Sequence, residues 1–202
     1  MKRLWILVAT LSGALAATSA LPAPSAEAGA AKAATCQACH GASGNSTNPE
    51  WPSLAGLGAD YIADQLKNFK DGKRASPIMM PMTTIMTADD MADLGMYFDS
   101  LLNTGLEADP SFWEAGERLY RSGDPAREIP ACMACHGPTG RGNGPAKFPA
   151  LRGQHSVYVI KQLTDYAAGT RTTGPNGIMQ TIAKRLSAED MRNLASYLQG
   201  IR

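Results

Sequence analysis

Wherever the apolar positions of this chain form a pattern, the pattern has helical spacing. Ile62, Leu66 and Phe69 share one helix face, as do Val159, Leu163 and Tyr166. A second stripe runs through Met91, Leu94, Phe98 and Leu101 and is matched by Met191, Leu194, Leu198 and Ile201. Thr87 and Ser187 stand just ahead of these stripes, each with an acid three residues on (Asp90, Asp190), and predict N-caps. A further helix is predicted from about Ser111 to Arg121, with Phe112, Gly116, Leu119 and Tyr120 inward; its counterpart in the first half, Ala30 to Thr35, is short and alanine-rich. No segment shows a convincing strand pattern, so the fold class is all-α, with long Gly/Pro/Asn-rich connections over 41–58 and 137–153.

The two sets of stripes are copies of one another. Cys36-Gln37-Ala38-Cys39-His40-Gly41 returns as Cys132-Met133-Ala134-Cys135-His136-Gly137, 96 positions on. Trp51-Pro52-Ser53-Leu54-Ala55-Gly56 returns as Phe148-Pro149-Ala150-Leu151-Arg152-Gly153, 97 on, and Thr87-Ala88-Asp89-Asp90-Met91 as Ser187-Ala188-Glu189-Asp190-Met191, 100 on. The blocks keep their order, so the chain is a tandem duplication, with residues 29–106 as the first domain and 107–202 as the second. Each copy has few helices and long loops. Its apolar core is thin and asks for a bulky apolar group to complete it.

Residues 1–28 read as a separate segment. Met1-Lys2-Arg3 is positive, Leu4 to Ala17 is a nearly unbroken apolar run, and Ala26-Glu27-Ala28 fits an Ala-x-Ala cleavage rule. The run is shorter than the roughly 20 residues that cross a bilayer. That favours a signal peptide cut after Ala28 over an uncleaved anchor, and places the mature chain in the periplasm. The net charge of +1 over 202 residues gives no reason to expect a nucleic-acid partner. The copies differ in sign, however: 29–106 holds 5 Lys/Arg against 8 Asp/Glu, and 107–202 holds 12 against 9. Arg127, Arg141, Lys147, Arg152, Lys161 and Arg171 are candidates to steer the second domain toward an acidic partner surface.

Four cysteines in an exported chain would ordinarily suggest two disulfides. Here they form two Cys-x-x-Cys pairs, each followed at once by His, which is the signature of c-type haem attachment. Two thiols one helical turn apart reach the two vinyl groups of one porphyrin, and the adjacent His reaches the iron. Cys36, Cys39 and His40 would hold one covalent haem c, and Cys132, Cys135 and His136 another. A four-cysteine zinc site would leave both histidines without a role, and a thioredoxin-like site expects a βαβ context. The chain has three histidines, so at most one iron could take a second His, using His155. Methionine is the other common distal ligand of electron-transfer haems. In the second copy Met133 lies inside the motif and Met191 in a helical stripe, which leaves Met179, eight residues before Ser187. The same register before Thr87 selects Met79, with Met80 or Met82 as substitutes through a small loop shift. Six-coordinate iron leaves no open position for chemistry, so no enzymatic activity is expected.

With both motifs, Gly44-Asn45-Ser46, the Pro52 to Gly56 and Phe148 to His155 segments, Lys161 to Asp165 and the capped C-terminal helices in view, the mature chain resembles the dihaem cytochrome c4 family. The resemblance implies two class I cytochrome c domains related by a pseudo-twofold axis, with His/Met ligation at both irons. It also implies electron delivery to a respiratory terminal oxidase; a redox protein donor and peripheral association with the membrane complete the expected partners. It places a backbone carbonyl of Pro52 and of Pro149 on the Nδ1–H of each proximal His. The family pattern has Gln after the last Gly of this segment. The second copy keeps Gln154, whereas the first has Leu57, which leaves that contact open for the first domain. His155 is expected to hydrogen-bond at the domain interface or near a propionate. An alternative use of the same architecture is as the dihaem subunit of a larger oxidoreductase, such as a flavin-dependent sulfide dehydrogenase.

Overall fold

The chain folds into ten α-helices over residues 23–201, the residues that a computed structural model describes. The first half contributes α1 (Ala26–Lys32), α2 (Ala34–His40), α3 (Ala59–Lys70), α4 (Met79–Thr83) and α5 (Ala88–Ser100). The second contributes α6 (Trp113–Ser122), α7 (Met133–His136), α8 (Ser156–Ala168), α9 (Ile178–Ala183) and α10 (Ala188–Gly200). Among the described residues the only extended pairing is two isolated bridges, Asp124 with Ile129 and Asn143 with Phe148. Thr87 and Ser187 each accept from the backbone N–H of the acid three residues on, and that acid accepts from the cap's own N–H, giving full capping boxes on α5 and α10.

Each half has its own core. Ile62 and Leu66 of α3 meet Met91, Leu94 and Phe98 of α5. In the second half Leu119 and Tyr120 of α6 and Val159 of α8 meet Met191, Leu194 and Leu198 of α10. Burying a side chain such as Leu94 or Phe98 stabilises the fold by about 1.5–3 kcal/mol, so the striped faces carry most of the packing energy. The connecting segment changes allegiance within two residues. Thr104 donates to Asn45 of the first half at 3.0 Å, and Leu106 donates to the Gln199 carbonyl of the second at 3.3 Å.

One feature departs from the sequence reading. The partner of α6 in the first half is α1, not a short helix over 30–35. Gly29 and Gly116 are the matching positions, 87 apart rather than 96. A Cβ on Gly29 would lie 2.1 Å from the Asp93 carbonyl oxygen, and one on Gly116 2.0 Å from that of Asn193. Only hydrogen lets α1 cross α5, and α6 cross α10, at that distance. The bridged turn after α6 adds nine residues before the second motif, which is why the repeat slipped there.

The proposed cleavage point falls within a folded element. Residues 1–22 lie outside the described residues, but Ala26–Ala28, expected to leave with the leader, are the first residues of α1. Ser25 caps that helix through Oγ, which accepts from the Ala28 N–H at 3.1 Å, and its own N–H donates to Asp93 at 2.9 Å. Lys32 bridges Asp90 and Asp93, both at 2.7 Å. No helix among the described residues is long and apolar enough to cross a membrane.

Candidate functional site

The two motifs take the same local form. Cys36, Cys39 and His40 lie on α2; Cys132 precedes α7, which carries Cys135 and His136. Helical spacing places the two cysteines of each pair one turn apart on one face. A glycine follows each His in the left-handed region, Gly41 at φ 85° and Gly137 at φ 80°, and turns the chain away from the helix. At Gly41 a Cβ would come within 2.1 Å of the Asn45 carbonyl oxygen. All four thiols are free and half-buried.

Burial sets the protonation of these groups. Desolvation pushes the Cys36 thiol up and Cys132 up to about 11, so both sulfurs are held neutral. A zinc or redox centre works through thiolates, whereas a thioether needs no charge. No cluster of three or more His, Cys, Asp or Glu side chains among the described residues could hold a metal ion. Desolvation also lowers both His40 and His136 below the ordinary value, keeping the rings neutral, as metal ligation requires. The Pro52 carbonyl accepts from Nδ1 of His40 at 2.7 Å, and the Pro149 carbonyl from Nδ1 of His136 at 2.9 Å. A carbonyl can only accept, so each Nδ1 carries the proton and each Nε2 presents a lone pair.

The distal candidates sit on the short helices α4 and α9. Met79 is the first residue of α4, half-buried and packed on the first core together with Cys36. Met80 and Met82 are exposed. Met179, half-buried, occupies the second position of α9, which packs on α8.

Between the halves lies a polar cluster that sequence reasoning missed. Arg74 donates to Gln65 of its own half and, across the interface, to Tyr158 and Gln162 at 2.8 and 2.7 Å. Arg171 mirrors it, donating to Gln162 of its own half and to Tyr61 and Gln65 across, at 2.8 and 3.1 Å. This reciprocity is the pseudo-twofold relation written in hydrogen bonds. Both guanidiniums are buried, and among the described residues neither pairs with a carboxylate. Two buried like charges sharing acceptors suit an anionic group, which the propionates of a haem would provide. With paired free thiols one helical turn apart and imidazoles oriented through Nδ1, the residues present fit a haem in each half.

The basic set expected to steer a partner is mostly engaged. Arg127 pairs with Asp124 and Asp190, Lys147 with Asp64 of the first half, and Lys161 with Asp165, while Arg171 is buried. Of the six, only Arg141 is both exposed and outside any ion pair among the described residues. His155 lies at the interface, where Nε2 donates to the Ser46 carbonyl at 2.8 Å.

Comparison with known proteins agrees with this geometry. The cytochrome c family model matches twice, over residues 26–102 and 113–202. Cytochrome c4 of Pseudomonas aeruginosa is 48% identical over 154 residues, covering 76% of this chain and 77% of that protein. A protein of Thiomonas intermedia described as a thiosulfate dehydrogenase electron acceptor is 38% identical, covering 73% of this chain and 69% of that one. The crystal structure of reduced recombinant cytochrome c4 from Pseudomonas stutzeri superimposes with a TM-score of 0.86 at 42% identity, covering 89% of this chain and all of that one. The chain belongs to the cytochrome c4 family, as a dihaem electron-transfer protein of two tandem cytochrome c domains with two covalent haem c groups.

Proposed function

We propose that this protein is a periplasmic one-electron relay that takes electrons from a redox protein and passes them to a respiratory terminal oxidase. Each haem supplies a ferric/ferrous couple, so a turnover moves one electron from donor to acceptor with no bond made or broken. In this reading Cys36, Cys39, Cys132 and Cys135 attach the two haems. His40 and Met79 would hold one iron, His136 and Met179 the other. The Pro52 and Pro149 carbonyls hold the imidazoles in a single tautomer and orientation. With a His and a Met given to each haem, the iron would have no place left for a substrate, and the chain would do no substrate chemistry of its own.

The single observation that carries this reading is the duplicated neutral imidazole, fixed through Nδ1 by the Pro52 or Pro149 carbonyl so that Nε2 presents its lone pair, in a Cys-x-x-Cys-His motif that occurs twice. The first test is the near-infrared Met-sulfur-to-iron charge-transfer band of the oxidised protein. Met79→Ala and Met179→Ala should each remove about half of it and lower the potential of the affected haem. Met80→Ala and Met82→Ala should leave it intact. Loss of half the band in either of those two, with Met79→Ala silent, would reassign the first distal ligand.

A second reading, as the acceptor of electrons from a thiosulfate-oxidising enzyme, is favoured by the relative from Thiomonas intermedia. Stopped-flow reduction by such an enzyme, followed by reoxidation with an oxidase-containing membrane fraction, separates the two roles.

A further inference from the structure

The peptide unit that orients each proximal histidine is gripped from the opposite domain, and the two grips are unequal. In the first domain the peptide joining Pro52 to Ser53 accepts from His40 through its carbonyl at 2.7 Å. Its N–H donates to Oε1 of Gln154 at 2.9 Å, and Nε2 of the same amide donates back to the Ser53 carbonyl, also at 2.9 Å. In the second domain the peptide joining Pro149 to Ala150 accepts from His136 at 2.9 Å. Its N–H donates to the backbone carbonyl of Leu57 at 3.2 Å. Gln154 and Leu57 occupy the same place in the repeat. A two-point side-chain clamp therefore serves the first domain, and a single longer backbone contact serves the second.

The clamp is enclosed. Ser53, Gln154 and His155 are all buried, and the Ser46 carbonyl that accepts from His155 belongs to a residue whose own N–H donates to Ser53 Oγ at 3.2 Å. The N–H and C=O of one peptide unit are conjugated. An acceptor placed on the N–H shifts electron density toward the carbonyl oxygen, and hydrogen-bonded chains strengthen one another in this way. A more basic Pro52 carbonyl draws the Nδ1 proton of His40 more strongly and makes the ring a stronger donor through Nε2.

We propose that Gln154 is a positioning residue for the haem of the other domain: through the Pro52–Ser53 peptide it strengthens the His40 hydrogen bond and thereby stabilises the ferric state of the first haem alone. The inference rests on His40 being the proximal ligand of that haem. It makes the interface an electronic connection from the second domain to the first, with no equal in the reverse direction.

The test is a two-step redox titration of the full-length holoprotein, each step assigned to its haem by the hyperfine-shifted haem methyl signals. Gln154→Met, close in volume but without polar atoms, should raise the potential of the haem bound at Cys36 and Cys39 and leave the other unmoved. Gln154→Glu keeps an acceptor oxygen for the Ser53 N–H and should not raise it. No shift, an equal shift of both haems, a shift of the second haem alone, or a rise with both variants would overturn the proposal. A measurement on the unaltered ferrous protein needs no variant: the Nδ1 proton of His40 should resonate downfield of that of His136, and a reversed or equal order refutes the clamp. A His40 ring whose protons lack the haem ring-current shift would instead remove the ligand assignment itself, whatever the potentials do.

Discussion

At the scale of single residues, burial acts on cysteine and histidine to one end. A buried thiol is harder to ionise and a buried imidazole harder to protonate, so both stay neutral. Neutral sulfur suits a thioether, and a neutral ring with Nδ1 bound to a carbonyl has only Nε2 to offer an iron. Replacing Cys36 and Cys39 together with Ser should leave one acid-acetone-resistant haem equivalent per chain instead of two. Calorimetry should show loss of the first domain's transition, because Cys36 packs directly on the core that a haem would complete. Two retained equivalents would show that attachment does not depend on this pair.

At the scale of elements, α1 is tied to α5 by charge as well as by the Gly29 crossing. Lys32 holds Asp90 and Asp93 well below the ordinary carboxylate value of 3.8, through charge-assisted hydrogen bonds in both cases. A carboxylate whose folded value is depressed adds stability that is complete above its unfolded value and is lost as pH falls through the folded one. The contribution is therefore present at neutral pH and fades as pH drops below 3.8. Lys32→Met should lower the melting temperature at neutral pH and flatten its acid dependence below that value; a parallel downward shift at every pH would exclude the linkage. The same element bears on processing. A cut after Ala28 would remove the Ser25 cap, worth about 0.5–2 kcal/mol in a typical helix, and the bond from Ser25 to Asp93. N-terminal sequencing of the mature protein should accordingly begin at or before Ser25, and a start at Gly29 would contradict this.

At the scale of the whole molecule, the interface concentrates two positive charges where the two halves meet. Arg74 and Arg171 share Gln65 and Gln162 as acceptors, and Arg171 is pushed further above its ordinary value by the surrounding tyrosines even though burial opposes it. Their field is weakly screened because both guanidiniums are buried. Removing either charge stabilises the ferric over the ferrous state on both sides. Arg74→Gln and Arg171→Gln should each lower both midpoint potentials in potentiometric titration. A fall confined to one haem would show that the charges are not shared. This pattern is opposite in sign and in reach to that expected for Gln154→Met, so the two interface devices can be separated in one experiment. Association with a partner draws on the remaining free charge, which the ion pairs of Arg127, Lys147 and Lys161 reduce.

What the sequence determined by itself is whatever depends on neighbours along the chain. Stripes at helical spacing, the Thr87 and Ser187 capping boxes, the paired attachment motifs and the order of the repeated blocks all act over one or two helical turns, and periodicity records them. The equal spacing of Met79 and Met179 from their caps, eight residues in each copy, is countable along the chain for the same reason. What only the tertiary structure decided involves partners far apart in sequence. Gln154 grips Ser53, Arg74 meets Tyr158, and Ser25 rests on Asp93, and no local pattern marks any of these pairs. The matching of α1 to α6 escaped because the close crossing that defines it is a steric fact about Gly29 and Gly116 against α5 and α10. An alanine-rich helix carries too weak a stripe to announce it. The charge on the second domain was countable from the chain, and the Lys161–Asp165 pair lies at helical spacing, but the pairing of Lys147 with Asp64 and of Arg127 with Asp190 depended on where folding placed the acids.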